Sequence, residues 1–265
     1  AYHNNKLDRG KLSIVGLGPG TSSWRSIEAT RLLEQATDIV GFDVYIKLLD
    51  YDKSKNYHSF EIGQEEERAM KSIELASNDK NVALVCSGDP GIYAMASIVF
   101  EMIEFGPDLW KNIEIITAPG ISAVQAAAAR VGAPIGNDFC TISLSDLMTT
   151  QQVILNRVKA AAEADFIIAL YNPSSKFRKT LIKKAVNIIR DHRKKETPIV
   201  IAHSVGRKDE KIEFTTISDI ETDTIDMMTL LIIGSSKTRS YFNNSREQKV
   251  YTPRGYNVLK GEKNR

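Results

Sequence analysis

Leu12-Ser13-Ile14-Val15-Gly16-Leu17-Gly18-Pro19-Gly20 is a β-prone apolar run that breaks into a glycine-rich turn. Such a junction predicts a buried strand whose carboxyl end releases a loop able to bring backbone close to a ligand. Outward from it, the first half repeats strand then helix. Ser26 to Gln35 carries apolar Ile27, Leu32 and Leu33 in a helical pattern, and Asp38-Ile39-Val40 is the next strand. Gln64 to Ala76 is a helix with a charged face, Val82 to Val85 a strand, Tyr93 to Glu104 a helix and Ile113 to Ile116 a strand. This alternation predicts a wound, mostly parallel sheet covered by helices. Ser122 to Val131 is alanine-rich and predicts a thin helix packed close to its neighbours.

Gly132-Ala133-Pro134-Ile135-Gly136-Asn137-Asp138 interrupts the pattern, because a helix cannot run through the proline. The expected domains are therefore 1–133 and 134–265, both α/β. The second should hold strands near Phe139 to Ser143, Phe166 to Leu170 and Ile199 to Ala202, with helices over Gln152 to Ala164 and Lys176 to Arg193. Lys211-Ile212-Glu213-Phe214-Thr215 alternates like an antiparallel strand buried on one side, and Leu230 to Ile233 like a buried one, so the second sheet is expected to be mixed. From Tyr241 onward the chain is polar, basic and poorly patterned, and is expected to be loosely held.

At about 150 residues per domain, 265 residues accommodate two domains, each able to bury a core. With 42% hydrophobic and 26% charged residues, collagen-like, low-complexity and wholly disordered readings are excluded. Thirty-five basic against 33 acidic residues leave a net charge of +2, so no global field favours nucleic acid or a membrane surface, and an anionic ligand must be recognised locally. The longest apolar stretches, such as Leu230 to Ile233, fall far short of the roughly 20 residues that cross a bilayer. The N-terminal Ala1-Tyr2-His3-Asn4-Asn5-Lys6 is polar and the two cysteines make no disulfide framework, so a cytoplasmic protein is expected.

The turn itself admits two readings. A dinucleotide fingerprint needs a third glycine where Thr21 stands, and Pro19 removes an N–H from the loop. No Gly-Lys-Ser/Thr follows, which excludes a P-loop, and the glycines can also serve only to turn the chain. Ser87-Gly88-Asp89-Pro90-Gly91-Ile92-Tyr93 follows another strand, and its Asp89 can meet a cation or cap the next helix. Ala118-Pro119-Gly120-Ile121-Ser122-Ala123 is a third small-residue loop, and three loops from one sheet edge predict a binding cleft. In the second domain Tyr171-Asn172-Pro173-Ser174-Ser175 precedes Lys176 and Arg178, positive charges beside Asn172 where an acidic substrate can be held. His203 ends a strand, as an acid or base or as a packed ring. Cys86 and Cys140 lie far apart beside apolar strands, so no metal cluster is expected, and no Gly-x-Ser-x-Gly elbow supplies a hydrolase nucleophile.

Taken in order, Val15 to Gly20, Ser87 to Tyr93, Pro119 to Ala123, Leu170 to Pro173 and Thr229-Leu230-Leu231-Ile232-Ile233-Gly234-Ser235-Ser236 resemble the tetrapyrrole methylase family from Lys11 to Tyr241. Leu144-Ser145-Asp146-Leu147-Met148 and Tyr171 to Ser175 pull the resemblance toward the branch that methylates carbon 17 of a precorrin in cobalamin biosynthesis. Thr150-Gln151 stands where that branch usually carries Pro-Trp. The resemblance implies S-adenosyl-L-methionine bound bent in a cleft between the domains, a polycarboxylate tetrapyrrole as substrate and a homodimer. It implies Pro19, Gly88, Asp89, Ile92, Tyr93, Ser122, Ala123, Tyr171 and Asn172 at the cofactor, with Val205, Thr229 and Leu230 closing the adenine side. Gly16, Gly18 and Gly20 would face the tetrapyrrole, and Lys176, Arg178 and Lys47 its carboxylates. The family reaction also contracts the macrocycle with a base that removes a ring-hydroxyl proton, for which Asp43 and His203 are the candidates, against a helix cap and a packed ring. Competing readings are another tetrapyrrole methylase such as the uroporphyrinogen-III enzyme, the related diphthine synthase, a nicotinamide-dependent oxidoreductase and a non-enzymatic binding module.

Overall fold

A computed structural model describes residues 10–173 and 180–256 of the chain. Two compact units divide between Ala123 and Val124. In the first, strands β1 (Lys11–Gly16), β2 (Asp38–Phe42), β3 (Asn56–Phe60), β4 (Asn81–Cys86) and β5 (Glu114–Ala118) form one sheet in the order β3-β2-β4-β1-β5, every pair parallel. Helices α1 (Ile27–Gln35), α2 (Asp43–Ile46), α3 (Glu65–Ser77) and α4 (Met95–Phe105) connect them. Successive strand residues point to opposite faces, and here both faces are dry. Leu12, Ile14, Val82, Leu84 and Cys86 pack with Ile73, Met95 and Val99 of α3 and α4, whereas Val15, Ala83 and Val85 pack with Ala29, Leu32 and Leu33 of α1. Each fully buried Leu or Ile contributes about 2 kcal/mol through removal of apolar surface from water. Ser26 starts α1 by accepting the Ala29 N–H, which satisfies a donor the first helical turn leaves open.

The second unit begins with α5 (Ala123–Val131) and β6 (Gly132–Ala133), and continues with β7 (Phe139–Ser143), α6 (Gln151–Glu163), β8 (Ile167–Tyr171), α7 (Thr180–Arg190), β9 (Pro198–His203), β10 (Lys211–Thr216), β11 (Thr229–Ile233), β12 (Arg239–Phe242) and β13 (Gln248–Tyr251). Its main sheet runs β10-β9-β11-β8-β7, and only β7 and β8 are parallel neighbours, so the sheet is mixed. Ile168 and Leu170 of β8 pack with Ile154 and Val158 of α6 and Leu181, Ala185 and Ile189 of α7. Lys183, Lys184 and Arg190 lie on the exposed side of α7.

Two sequence expectations change. The break at Gly132 to Asp138 falls inside the second unit, because Gly132 and Ala133 pair with Val250 and Tyr251 of β13. Residues 239–251 form a β12-β13 hairpin, where a loose tail is expected from Tyr241 onward. Val250 is buried, and the Thr252 hydroxyl donates to Pro134 O at 2.6 Å. Among the described residues no helix is long and apolar enough to cross a membrane.

Arg193, just past α7, binds three separate parts of the second unit. Its guanidinium, 1% exposed, donates to Gly234 O (3.0 Å), Ala162 O (2.9 Å) and Phe166 O (2.8 Å). Arg193→Met keeps the length and removes every donor, leaving buried carbonyls unpaired. It should lower the free energy of unfolding by about 3 kcal/mol in urea titration; a loss below about 1 kcal/mol would contradict the role.

Candidate functional site

β4, β1 and β5 are neighbours, so their carboxyl ends release three loops side by side. The loops touch through backbone. Gly18 donates its N–H to Gly88 O (3.2 Å), and Gly88 returns its N–H to Gly18 O (2.8 Å). A Cβ on Gly120 would lie 2.0 Å from Gly88 O, and one on Gly16 would lie 2.6 Å from Gly120 N and 2.7 Å from Gly88 O. Gly18 and Gly88 adopt φ of +75° and +64°, which a side chain would strain. The glycines thus bring loop to loop as well as turning the chain. Pro19 and Gly20 continue the buried stretch. A single 3-10 turn (Ser22–Trp24) follows the glycines and α1 starts only at Ile27, so no α-helix N-terminus follows the turn directly to hold a pyrophosphate, which removes the support for a dinucleotide site.

Asp89 stitches these loops. One carboxylate oxygen accepts Gly91 N–H at 2.8 Å, and the other accepts Gly120 N–H across to the β5 loop at 3.1 Å. It does not cap α4, whose cap position is Ala94 without a side-chain bond. Ile92 N–H bonds Asp89 O at 3.2 Å, and Tyr93 follows at φ +52°, half its surface open. Ser122 is buried beside Ala123 at the start of α5. Asp43, at the carboxyl end of β2, opens α2 and pairs with Lys47 one turn on; the cap position is Phe42. Neither Asp43 as a cap nor Lys47 as an unengaged cation is seen.

In the second unit the matching edge carries Tyr171, His203 and, because β11 runs the other way, the start of β11. The Tyr171 phenol oxygen accepts Val124 N–H at 3.0 Å in the first turn of α5. Asn172 turns at φ +50°, a region asparagine tolerates, and its amide donates to Ser143 Oγ at 3.0 Å. Val205, Thr229 and Leu230 are buried, and register sets Thr229 opposite His203 and Leu230 opposite Ala202. Lys176 and Arg178 lie outside the described residues.

Several partners were not singled out from the sequence. His203 sits with Nδ1 3.3 Å from Asp226 and Nε2 3.6 Å from Asp209. Glu210 accepts Gly206 N–H at 2.6 Å and Arg130 Nε at 2.7 Å. The Arg130 hydrogen bond and the Gly206 N–H together outweigh burial and hold the Glu210 carboxyl below the usual glutamate range. Burial pushes the Cys86 thiol up to about 12, in keeping with a small hydrophobe. A cavity of about 310 Å³ in the first unit is lined by Arg25, Leu33, Ile39, Leu49, Asp50 and Tyr57, and by none of the candidate site residues. Among the described residues no group of three His, Cys, Asp or Glu is placed to hold a metal ion.

The family model for Tetrapyrrole (Corrin/Porphyrin) Methylases matches residues 11–221. A precorrin-3B C(17)-methyltransferase of Sinorhizobium sp is 37% identical over 247 residues, which is 93% of this chain and 97% of that protein. A probable cobalt-factor III C(17)-methyltransferase of Salmonella typhimurium is 38% identical over 248 residues, covering 93% of this chain and all of the relative. The solved structure of the methyltransferase CobJ has a TM-score of 0.86 at 36% identity, spanning 92% of this chain and 100% of that one.

Two outcomes follow from the geometry. Gly120→Ala should cost about 3 kcal/mol in stability, since the added methyl meets backbone that cannot swing aside; a cost within about 0.5 kcal/mol in denaturant unfolding would sink the loop contact. Glu210 has a folded pKa below its unfolded one, so its contribution is full above the unfolded value and disappears as pH falls through the folded value. Glu210→Gln should therefore lower Tm at about pH 7, and the gap from wild type should narrow between about pH 5 and pH 3. A gap that stays constant in thermal melts over that range would refute the assignment.

Proposed function

The chain belongs to the tetrapyrrole (corrin/porphyrin) methylase family, and from that premise we propose that it is an S-adenosyl-L-methionine-dependent methyltransferase acting at C17 of a precorrin-3B-type tetrapyrrole in cobalamin biosynthesis, with contraction of the macrocycle. The observation that carries this reading is the alignment of relatives named for C17 methylation along almost the whole chain. The cobalt-containing and metal-free substrates share the carboxylate rim and the reacting carbon. The proposal extends to a cytoplasmic homodimer.

The donor set fits the cofactor's chemistry. Each Asp89 oxygen already accepts one backbone N–H and keeps a lone pair for a cationic amine. A Cβ at Gly88 would find nothing nearer than Ser122 Cα at 3.7 Å, so backbone there is open to close approach. Ser122 and Ala123 are small, Ile92 is apolar, Val205 and Leu230 offer apolar surface to an adenine ring, and Tyr93, Tyr171, Asn172 and Thr229 add hydroxyl and amide groups. S-adenosyl-L-methionine supplies a methyl on a sulfonium, which passes to a carbon nucleophile in an in-line displacement that disperses positive charge. The chain's own task is then to align the reactants and keep water out. Pro19 is assigned to the cofactor, Gly16, Gly18 and Gly20 to the macrocycle, and Lys176 and Arg178 to its carboxylates. Asp43 and His203 remain the two candidate bases for the ring-hydroxyl proton.

Titration calorimetry should give saturable binding of S-adenosylhomocysteine, and Asp89→Ala should weaken it at least about tenfold while the circular dichroism is kept. Incubation with S-adenosylmethionine and precorrin-3B or its cobalt counterpart should change the ultraviolet-visible spectrum of one of them. No heat with S-adenosylhomocysteine, or turnover of a modified protein side chain alone, would overturn the reading. Sedimentation velocity decides the dimer.

A further inference from the structure

We propose that Asp226 is a positioning residue that fixes which nitrogen of His203 carries the proton, making His203 rather than Asp43 the base for the ring-hydroxyl proton; this rests on the ring-contracting methyltransferase reading above. The inference comes from the donors and acceptors around the imidazole. On the Nδ1 side stand Asp226 Oδ1 at 3.3 Å and Thr229 Oγ1 at 3.4 Å. The Thr229 hydroxyl hydrogen is already given to Asp226 Oδ1 at 2.8 Å, so both groups facing Nδ1 can only accept. Nδ1 bears the hydrogen in the neutral ring because its two acceptors are nearer than the Asp209 carboxylate that faces Nε2, and Nε2 then holds the lone pair.

The backbone holds this arrangement in place. Thr229 lies opposite His203 in the β9-β11 ladder, Ser204 N–H bonds Met228 O at 3.0 Å, and Asp226 Oδ1 also accepts Met228 N–H at 3.0 Å. The ring is 30% exposed, open enough for a substrate group to reach it. Nε2 faces the carboxylate of Asp209 at 3.6 Å. When Nε2 takes the proton, the substrate O–H bond breaks, its electron pair stays on oxygen, and a new N–H forms on the ring. The imidazolium then lies between two carboxylates. The other charged neighbours are already balanced: Lys211, opposite His203 on β10, pairs with Glu213 at 2.8 Å, and Arg207 adds positive charge near Asp209. Asp43 has no such arrangement, since its carboxylate is held by Lys47.

Asp226→Asn keeps the shape and an oxygen for the Met228 and Thr229 donors, and removes the charge. Nitrogen-15 NMR, with His203→Gln to assign the resonance, should show the Nδ1–H tautomer in wild type and the Nε2–H tautomer gaining ground in Asp226→Asn. With the tetrapyrrole substrate, kcat should fall about 10- to 100-fold in Asp226→Asn and at least as far in His203→Gln, with the double variant no slower than the single. KM for the tetrapyrrole and S-adenosylhomocysteine affinity should stay within about twofold of wild type. An Nε2–H tautomer in wild type overturns the proposal even if Asp226→Asn fails to fold. So do additive losses, or a His203→Gln variant within about twofold of wild-type kcat. Failure of wild type to methylate either tetrapyrrole would instead overturn the methyltransferase reading, while the tautomer measurement still reports on Asp226.

Discussion

Three backbones that need to occupy almost the same space set the terms for the first unit. Gly16, Gly88 and Gly120 end or follow adjacent strands, and each is close enough to another that a methyl group on Gly16 or Gly120 would overlap peptide atoms. Close-packed interiors relax little, so such overlap moves strands rather than side chains. With the loops in contact, Asp89 can reach from the β4 loop to the Gly120 N–H. That bond uses a charged acceptor on a neutral donor, a stronger pairing than amide to amide, and it orders the edge before any ligand arrives. Preordering matters for a group-transfer enzyme, because the alignment of reactants is then not met by freezing loops during the reaction.

Much of this architecture is legible in the sequence because both faces of the sheet are buried. Leu12 to Val15, Val82 to Val85 and Leu230 to Ile233 are nearly continuous apolar runs, and few alternatives to a covered strand exist for them. The elements that escape such reading have the opposite character. Asn56-Tyr57-His58-Ser59-Phe60 is an edge strand with polar residues at most positions, and beside its ladder to β2 only Tyr57 and Phe60 tie it to the cores. The β12-β13 hairpin buries Val250 among mostly exposed neighbours, and its turn is closed by local bonds of Asn243 with Arg246 and Glu247. Its third strand is Gly132 and Ala133, more than a hundred residues away, a pairing that no local pattern announces.

The candidate site divides along the same line. Loops that follow buried strands are easy to place, so Gly88, Asp89, Ser122, Tyr171 and His203 stand out from sequence alone. The work each side chain does is harder to see. Asp-Pro before a helix reads as a cap, yet Asp89 is taken by a glycine N–H 31 residues on. Asp43 and Lys47 each look available for chemistry until four-residue helical spacing pairs them. Asp226 shows a faint local signal, a carboxylate three residues before a threonine that it accepts from, but its relation to His203 depends on which strands are neighbours.

That dependence points to what the mixed sheet contributes. In a fully parallel sheet, only segments that follow strands reach the carboxyl edge, as in the first unit. Inserting β11 antiparallel between β8 and β9 brings a segment that precedes a strand to that edge as well. Residues 226–229 thereby stand beside the ends of β8 and β9, with side chains anchored by their own turn. A post-strand loop alone would have left His203 with Asp209 on one side and solvent on the other. The reversed strand supplies the second acceptor, and with it a defined proton position, from a rigid element instead of a long loop.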